Sequence, residues 1–167
     1  MKKIWYYSTL LGKIGIAEEN HEITDLIFES PEIKNKKHLK ESIAEEETEL
    51  LKKAAVQLHE YLTGRRREFD LPLNPAGTAF QKKDWKALQT IPYGQTVSYG
   101  EIAKQIGCPK GARAVGLANN RNPIPVFIPC HRVIGADGRL VGYGGGIDKK
   151  VKLLEIEGIG VKDGKME

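Results

Sequence analysis

Cysteine is nearly missing from this chain: Cys108 and Cys130 are the only two among 167 residues. Two thiols cannot build the disulfide framework of a small secreted domain, and a chain of this length needs none, because it buries roughly 70% of its surface on folding. No apolar run is long enough to span a membrane. The opening MKKIWYYSTLLGKIGIAEEN is broken by polar residues and glycine, and no apolar h-region follows a charged start. Internal repeats and low-complexity tracts are lacking too. These absences predict a cytoplasmic protein with reduced thiols and no membrane partner; a monomer is expected.

What is present is distributed unevenly. Residues 1–64 hold nine Lys/Arg against twelve Asp/Glu, whereas residues 65–167 hold seventeen against ten. Such asymmetry fits a C-terminal part that meets a polyanion, and it fits equally a basic surface that is merely solvated.

The hydrophobic pattern divides the chain at about residue 75. IWYYST, KIGIAE and EITDLIF are short β-branched or aromatic runs between turn residues, which predicts an antiparallel hairpin or meander over residues 3–29. PEIKNKKHLKE reads as a polar connection. From about Ala44, Leu51, Ala54, Ala55, Leu58, Tyr61 and Leu62 recur at helical spacing, and Gly64 suits the helix end. RRREFDLPLNPAG reads as a linker, giving domains over 1–75 and 76–167. Thr78 and Gln81 then form a capping-box pattern opening a short helix that carries Trp85 and Leu88 and stops before Pro92.

SYGEIAKQIGCPKGARAVGLANNRN has the outline of helix, tight turn and helix. Ser98 and Glu101 make a second capping pattern, and Ile102, Ala103 and Ile106 supply an apolar face. A second helix is expected from about Pro109 to Ala118, with Ala112, Val115 and Gly116 inward and Lys110, Arg113 and Asn120 outward. A helix-turn-helix for DNA and a structural helical hairpin both fit. Gly111, Ala112, Ala114, Gly116 and Ala118 leave the second helix nearly bare of bulk, so it can approach another surface closely.

Cys130 stands in NPIPVFIPCHRVIG, where Pro123, Pro125 and Pro129 forbid a regular central strand. A thiol acts as a nucleophile only as thiolate, and a histidine with an acidic partner is one route to it. His131 is next in sequence, but consecutive side chains on an extended segment face opposite ways. An activated cysteine and a structural cysteine beside a core histidine both remain open on these residues alone. Cys108 has no such neighbour and reads as a packed turn residue.

PCHRVIG, with RNPIPVFI before it, GYGGGIDKKVKLLEIEG after it and VSYGEIAKQIGCPKGARAVG leading it, resembles the O6-alkylguanine-DNA alkyltransferases over about Phe80 to Gly158. The resemblance implies an α/β (α+β) fold: a small N-terminal antiparallel sheet with a helix, then a mainly helical domain with a helix-turn-helix of winged-helix type. It implies transfer of an alkyl group from O6-alkylguanine, and with it O4-alkylthymine as a further lesion, in double-stranded DNA to Cys130, irreversibly and once per molecule. His131 and Glu157 resemble the imidazole and acid that deprotonate the thiol through a water. Asn122 resembles the asparagine bracing the active-site turn, and Tyr99 the tyrosine that helps rotate the nucleotide and meets the guanine. Arg113 matches the residue that fills the gap left by the flipped base. Tyr99, Gln81, Ala112, Lys110 and Gly116 complete the implied DNA contacts, and Pro125, Tyr143, Gly144 and Gly145 the pocket.

Gly144 stands where many relatives carry a larger residue, which predicts an open lid. Residues 1–75 contain no cysteine and only His21, His38 and His59, so no N-terminal zinc is expected, nor any cofactor. Two other functions compete. One is a lesion-binding protein without transfer, of the alkyltransferase-like type, in which the acceptor cysteine is replaced. The other is a Cys-His hydrolase, for which no oxyanion site is evident.

Overall fold

The computed structural model describes residues 1–29 and 43–166, and the chain divides into two units, Met1–Pro75 and Ala76–Glu167. The polar connection over residues 31–41, with His38, lies outside the described residues. No helix among the described residues is long and apolar enough to cross a membrane.

In the first unit, β1 (Lys2–Thr9), β2 (Gly12–Glu19) and β3 (Glu22–Phe28) form an antiparallel meander. Asn20 and His21 take the second turn at φ 53° and 62°, a left-handed conformation that short polar residues accept. β4 (Ile43–Glu45) then joins the other edge of β1 in parallel, giving the order β3-β2-β1-β4. The sheet is therefore mixed rather than purely antiparallel. The helix expected from about Ala44 starts later, as α1 (Glu49–Leu62), where the Thr48 hydroxyl accepts the Leu51 N–H at 3.1 Å. Ala44 and the glutamates after it suit a helix, but the open edge of β1 takes this segment's backbone bonds first, and the Thr48 cap delays the helix to Glu49.

At its other end α1 closes on Gly64, φ 78°, with Gly64 N–H bonded to Tyr61 O and Arg65 N–H to Glu60 O. The helix packs Leu51, Ala54, Leu58, Tyr61 and Leu62 on the sheet. The segment read as a linker is pinned to this body. The Gln57 amide brackets the Asp70 backbone at 3.2 and 2.9 Å, and Ile23 bonds both Pro72 O and Asn74 N–H at 2.8 Å.

The second unit opens on α2 (Ala79–Leu88) with the complete Thr78–Gln81 capping box. α3 (Tyr99–Gln105), capped by Ser98, and α4 (Ala112–Asn120) are the two limbs of the helix-turn-helix. α4 begins three residues later than Pro109. Cys108, Pro109 and Lys110 stay in the turn, which closes with a 2.7 Å bond from Gly111 N–H to Cys108 O. Its inward side is Val115, Ala118 and Asn119, a correction of the face expected from Ala112, Val115 and Gly116. Ala112, in the first turn, and Gly116, against the Tyr99 ring, are only half-buried, and Trp85 Nε1–H seals the contact with α2 on Ala118 O at 2.9 Å.

A two-residue pairing carries the site. β5 (Val97–Ser98) lies parallel to β6 (Val133–Ile134), with Val97 opposite Val133. Ser98 thus ends β5 and caps α3, while β6 begins immediately after Cys130, His131 and Arg132. Finally α5 (Ile147–Ile156) packs on that turn, and the hairpin of β7 (Val161–Lys162) and β8 (Lys165–Met166) covers a small cluster of Ile134, Leu140 and Leu154.

Candidate active site

The approach to Cys130 is irregular, as its prolines require, yet it is held tightly. Asn122 Oδ1 accepts the Ile124 N–H at 2.9 Å, and its Nδ2 donates to Ile128 O at 3.0 Å. One side chain therefore closes both ends of the loop. Inside it Val126 is buried at φ 74°, a conformation that opposes a β-branched residue and costs about 1–3 kcal/mol. Burial of its isopropyl group and the two Asn122 bonds hold it there.

Cys130, His131 and Arg132 then form one turn of 3-10 helix, all three buried. Three residues per turn splay successive side chains roughly 120° apart, so His131 is directed away from Cys130 and into the unit. Its Nε2 lies 2.7 Å from Glu157 Oε2. A carboxylate there makes Nε2 the protonated nitrogen and leaves Nδ1 as the basic one. Arg132 takes the same carboxylate through Nε at 2.9 and 3.2 Å and Nη2 at 3.0 Å, while its Nη1 donates to Ile91 O at 2.7 Å. Gly94 N–H adds a further bond to Glu157 Oε1 at 2.9 Å.

Burial pushes the Cys130 thiol up to about 11, against which the Asn122 side chain and the charge of Lys150 pull. The resting group is the thiol. Burial likewise lowers His131, partly offset by Glu157, so the imidazole rests neutral. Lys150 is itself almost wholly buried, and desolvation brings it down to about 8. Its Nζ donates to Val133 O at 2.7 Å and Gly142 O at 3.0 Å and stands 5.9 Å from the Tyr99 ring centroid. Burial first, then the charge on Cys130, raises the Tyr99 phenol, which keeps its proton and remains a donor.

The structure brings Cys130, His131, Glu157, Asn122 and Tyr99 into one neighbourhood of the second unit. Tyr99 opens α3, and its ring lies 3.7 Å from where a Cβ on Gly116 of α4 would stand. Arg113 is exposed on α4 with Ala112 beside it, and Lys110 is exposed in the turn, not on the helix. The Gln81 side chain is engaged in its capping box. Pro125 is half-buried before Val126, and Tyr143, Gly144 and Gly145 form the segment leading to α5. A Cβ on Gly144 would meet Asn120 O at an ordinary 3.5 Å.

Sequence reasoning missed three groups. Arg132 is inside the PCHRVIG motif, but its role depends on Glu157, distant in sequence. Lys150 precedes Glu157 by two helical turns and shares its face, a spacing hidden within a charge run that reads as solvated. Asp84 is fully buried, and Asn119, its amide assigned with NH2 toward Asp84, donates to its two oxygens at 2.6 and 3.2 Å. The clue was Asp84 lying four residues before Leu88, on the apolar side of α2.

A helix-turn-helix unit that buries a cysteine beside an imidazole–carboxylate–guanidinium chain defines a class of protein: a nucleic-acid-binding scaffold built around one thiol. Residues 79–159 match the family model of the 6-O-methylguanine DNA methyltransferase DNA binding domain, and residues 3–75 that of the ribonuclease-like domain of the same family. A methylated-DNA–protein-cysteine methyltransferase of Methanosarcina acetivorans is 58% identical over 68% of this chain and 72% of its own. The constitutive one of Bacillus subtilis is 46% identical over 95% and 98%. The Mycobacterium tuberculosis OGT structure in complex with DNA superposes with a TM-score of 0.84 at 44% identity, covering 93% of this chain and 92% of that one. The chain belongs to the 6-O-methylguanine DNA methyltransferase family.

Proposed function

We propose that this protein repairs DNA by moving the alkyl group of O6-alkylguanine in a duplex onto its own Cys130. The observation that carries the reading is the buried thiol at the head of the turn whose next residue, His131, is fixed 2.7 Å from Glu157. The thiol proton passes through one water to His131 Nδ1, and Glu157, held by Arg132, steadies the imidazolium that forms. The Cys130 sulfur attacks the alkyl carbon, that carbon's bond to O6 breaks, and its electron pair stays on the guanine. Tyr99, kept protonated, donates a hydrogen bond to the departing purine. Lys150 stabilises the transient thiolate. The product is a thioether that no group in the site can cleave, so each molecule acts once.

Reaching the alkyl carbon requires extrusion of the base, at a few kcal/mol. The exposed side of α4, where only Arg113, Leu117 and Asn120 are larger than alanine, suits close approach to a duplex, with Arg113 filling the vacated stack. Phosphate contacts then set most of the affinity. The competing reading, lesion binding without transfer, is disfavoured by the presence of Cys130 itself.

Incubation with a duplex carrying O6-methylguanine, followed by intact-protein mass, separates the two. The expected result is one added methyl group on Cys130, none on Cys130→Ala, and duplex affinity retained by that variant. Binding without any mass change in the unsubstituted protein overturns the proposal.

A further inference from the structure

Glu157 occupies an unfavourable place for a fixed carboxylate. It is the residue at which α5 ends, where the helix dipole opposes negative charge and the last carbonyls have no partner within the helix. The chain that follows takes three of these carbonyls: Leu153 O, Glu155 O and Leu154 O accept the N–H groups of Glu157, Gly158 and Ile159 at 3.2, 3.0 and 2.9 Å. The fourth, Ile156 O, accepts instead from the hydroxyl of Tyr93, 63 residues earlier in the chain, at 3.1 Å. The ring of the same tyrosine lies against the Arg132 guanidinium, whose Cζ stands 5.8 Å from the ring centroid. Its neighbours complete a cradle, with Ile91 O accepting from Arg132 Nη1 at 2.7 Å and Gly94 N–H donating to Glu157 Oε1 at 2.9 Å. Tyr93 thus supports both members of the buried pair: the guanidinium by its face and, by its hydroxyl, the peptide that joins Ile156 to Glu157.

We infer, on the reading that His131 takes the thiol proton, that Tyr93 is a positioning residue for that transfer, fixing Glu157 from two sides so that its carboxylate stays on His131 Nε2. A cation against an aromatic face is attracted by the ring quadrupole, more strongly where water is excluded, and Arg132 is buried. The hydroxyl bond restrains the backbone at the helix end, so the Glu157 side chain starts from a fixed Cα. Without Tyr93, Arg132 and Glu157 keep each other, but their common position drifts relative to His131. The imidazole then loses the partner that offsets its desolvation, while the other charges that bear on it, Arg132 and Lys150, both oppose its protonation. His131 becomes a poorer base, and activation of the thiol moves to higher pH.

The test follows labelling of Cys130 by free O6-benzylguanine and, separately, by iodoacetamide, from about pH 6 to about pH 10, with each adduct mapped to Cys130 by peptide mass. Tyr93→Leu, which loses both contacts, is expected to label about five- to tenfold more slowly near pH 7, the deficit shrinking as pH rises and the thiol ionises without help. Tyr93→Phe keeps the ring and loses only the hydroxyl, and is expected to recover all but about threefold. A thermal melt shows that each variant is folded at the assay temperature. Two results overturn this role for Tyr93: Tyr93→Leu matching the unsubstituted protein at every pH with both reagents, or Tyr93→Leu slowed by one constant factor across the whole range, which is what a loosened fold gives without any change in thiol activation. Iodoacetamide needs no alkylguanine. If the unsubstituted protein takes no benzyl group, the proposed function fails by itself, and the iodoacetamide profiles still decide for or against Tyr93.

Discussion

Arg132 and Glu157 form a buried fork, with Arg132 Nε 2.9 Å from Oε1 and Nη2 3.0 Å from Oε2, while His131 Nε2 shares Oε2 at 2.7 Å. Without the guanidinium the carboxylate would be an uncompensated charge beneath the imidazole it orients. Removing one member of a buried pair of this kind costs about 3–5 kcal/mol. Arg132→Gln is therefore expected to lower unfolding free energy by about that amount in urea titration and to slow labelling by free O6-benzylguanine. Arg132→Lys keeps the charge but loses the two-pronged geometry, and is expected to fall between. Unchanged stability in Arg132→Gln would show that the fork is dispensable.

Lys150 makes a pH-dependent contribution whose sign is set by its lowered pKa. The folded value of about 8 lies below the ordinary 10.5, so the unfolded chain binds more protons between these values and stability rises with pH across that window. Cys130 acts oppositely between its ordinary 9.0 and about 11, because the folded state keeps the proton longer. Comparing the unsubstituted protein with Lys150→Met removes the cysteine part up to about pH 10, where the folded thiol of either protein keeps its proton. From pH 7.5 to 10 the difference is expected to move in favour of the lysine form by at most about 3 kcal/mol. Free-base labelling of Lys150→Met should also need higher pH, since its thiolate has lost a nearby cation. A pH-independent difference between the two proteins would contradict the assignment.

Asp84 titrates in the opposite sense. Burial raises its carboxyl from 3.8 to about 7, so the stability it contributes is complete below about pH 4 and is lost as pH rises through 7. The Asn119 amide, donating to the carboxylate, moderates the loss. Asp84→Asn removes the titration, and its melting temperature relative to the unsubstituted protein is expected to increase between pH 4 and 8. The ceiling on the accompanying change in relative unfolding free energy is about 4 kcal/mol. A relative melting temperature that stays flat or falls would place the carboxylate in better solvation than its burial indicates.

Benzyl transfer from free O6-benzylguanine should succeed and should weaken the fold. Gly144, which the proposed function puts at the alkyl pocket, carries no side chain, and a benzyl thioether would put new bulk at a thiol that is almost wholly buried. Overpacking of this kind costs about 1–3 kcal/mol. The check is a mass increase of one benzyl group mapped to Cys130, with a thermal melt before and after. No adduct would refute the open pocket, and an adduct that melts no lower would refute the loosening.

Local chemistry made much of the fold legible. Thr78 with Gln81, Ser98 before Glu101, and Gly64 each mark a helix end through bonds within a few residues, and the structure ends its helices there. β4 escaped because Ile43 to Glu45 gain their bonds from β1, some forty residues earlier, and no local pattern announces a free edge. The site divides in the same way. Cys130 and His131 stand out in the chain, but adjacency is misleading, since the turn sends them apart. Glu157 entered only through the resemblance, and Arg132, Lys150 and Asp84 acquire meaning only when long-range packing buries them.

Val126 has a consequence for the loop that delivers the thiol. Its left-handed backbone means that the closed loop holds about 1–3 kcal/mol which the released loop does not, so opening costs less than its hydrogen bonds alone suggest. Asn122 is one catch on this tension, bonded at both Ile124 and Ile128, and the Ile128 N–H donates directly to Ile124 O at 2.9 Å beside it. A bulky group on Cys130 needs to supply only the remainder before the catch slips. On the proposed function the loop would act as a fuse placed in series with the sulfur: sound while the thiol is free, and expected to be the first element to open once the thiol has been spent.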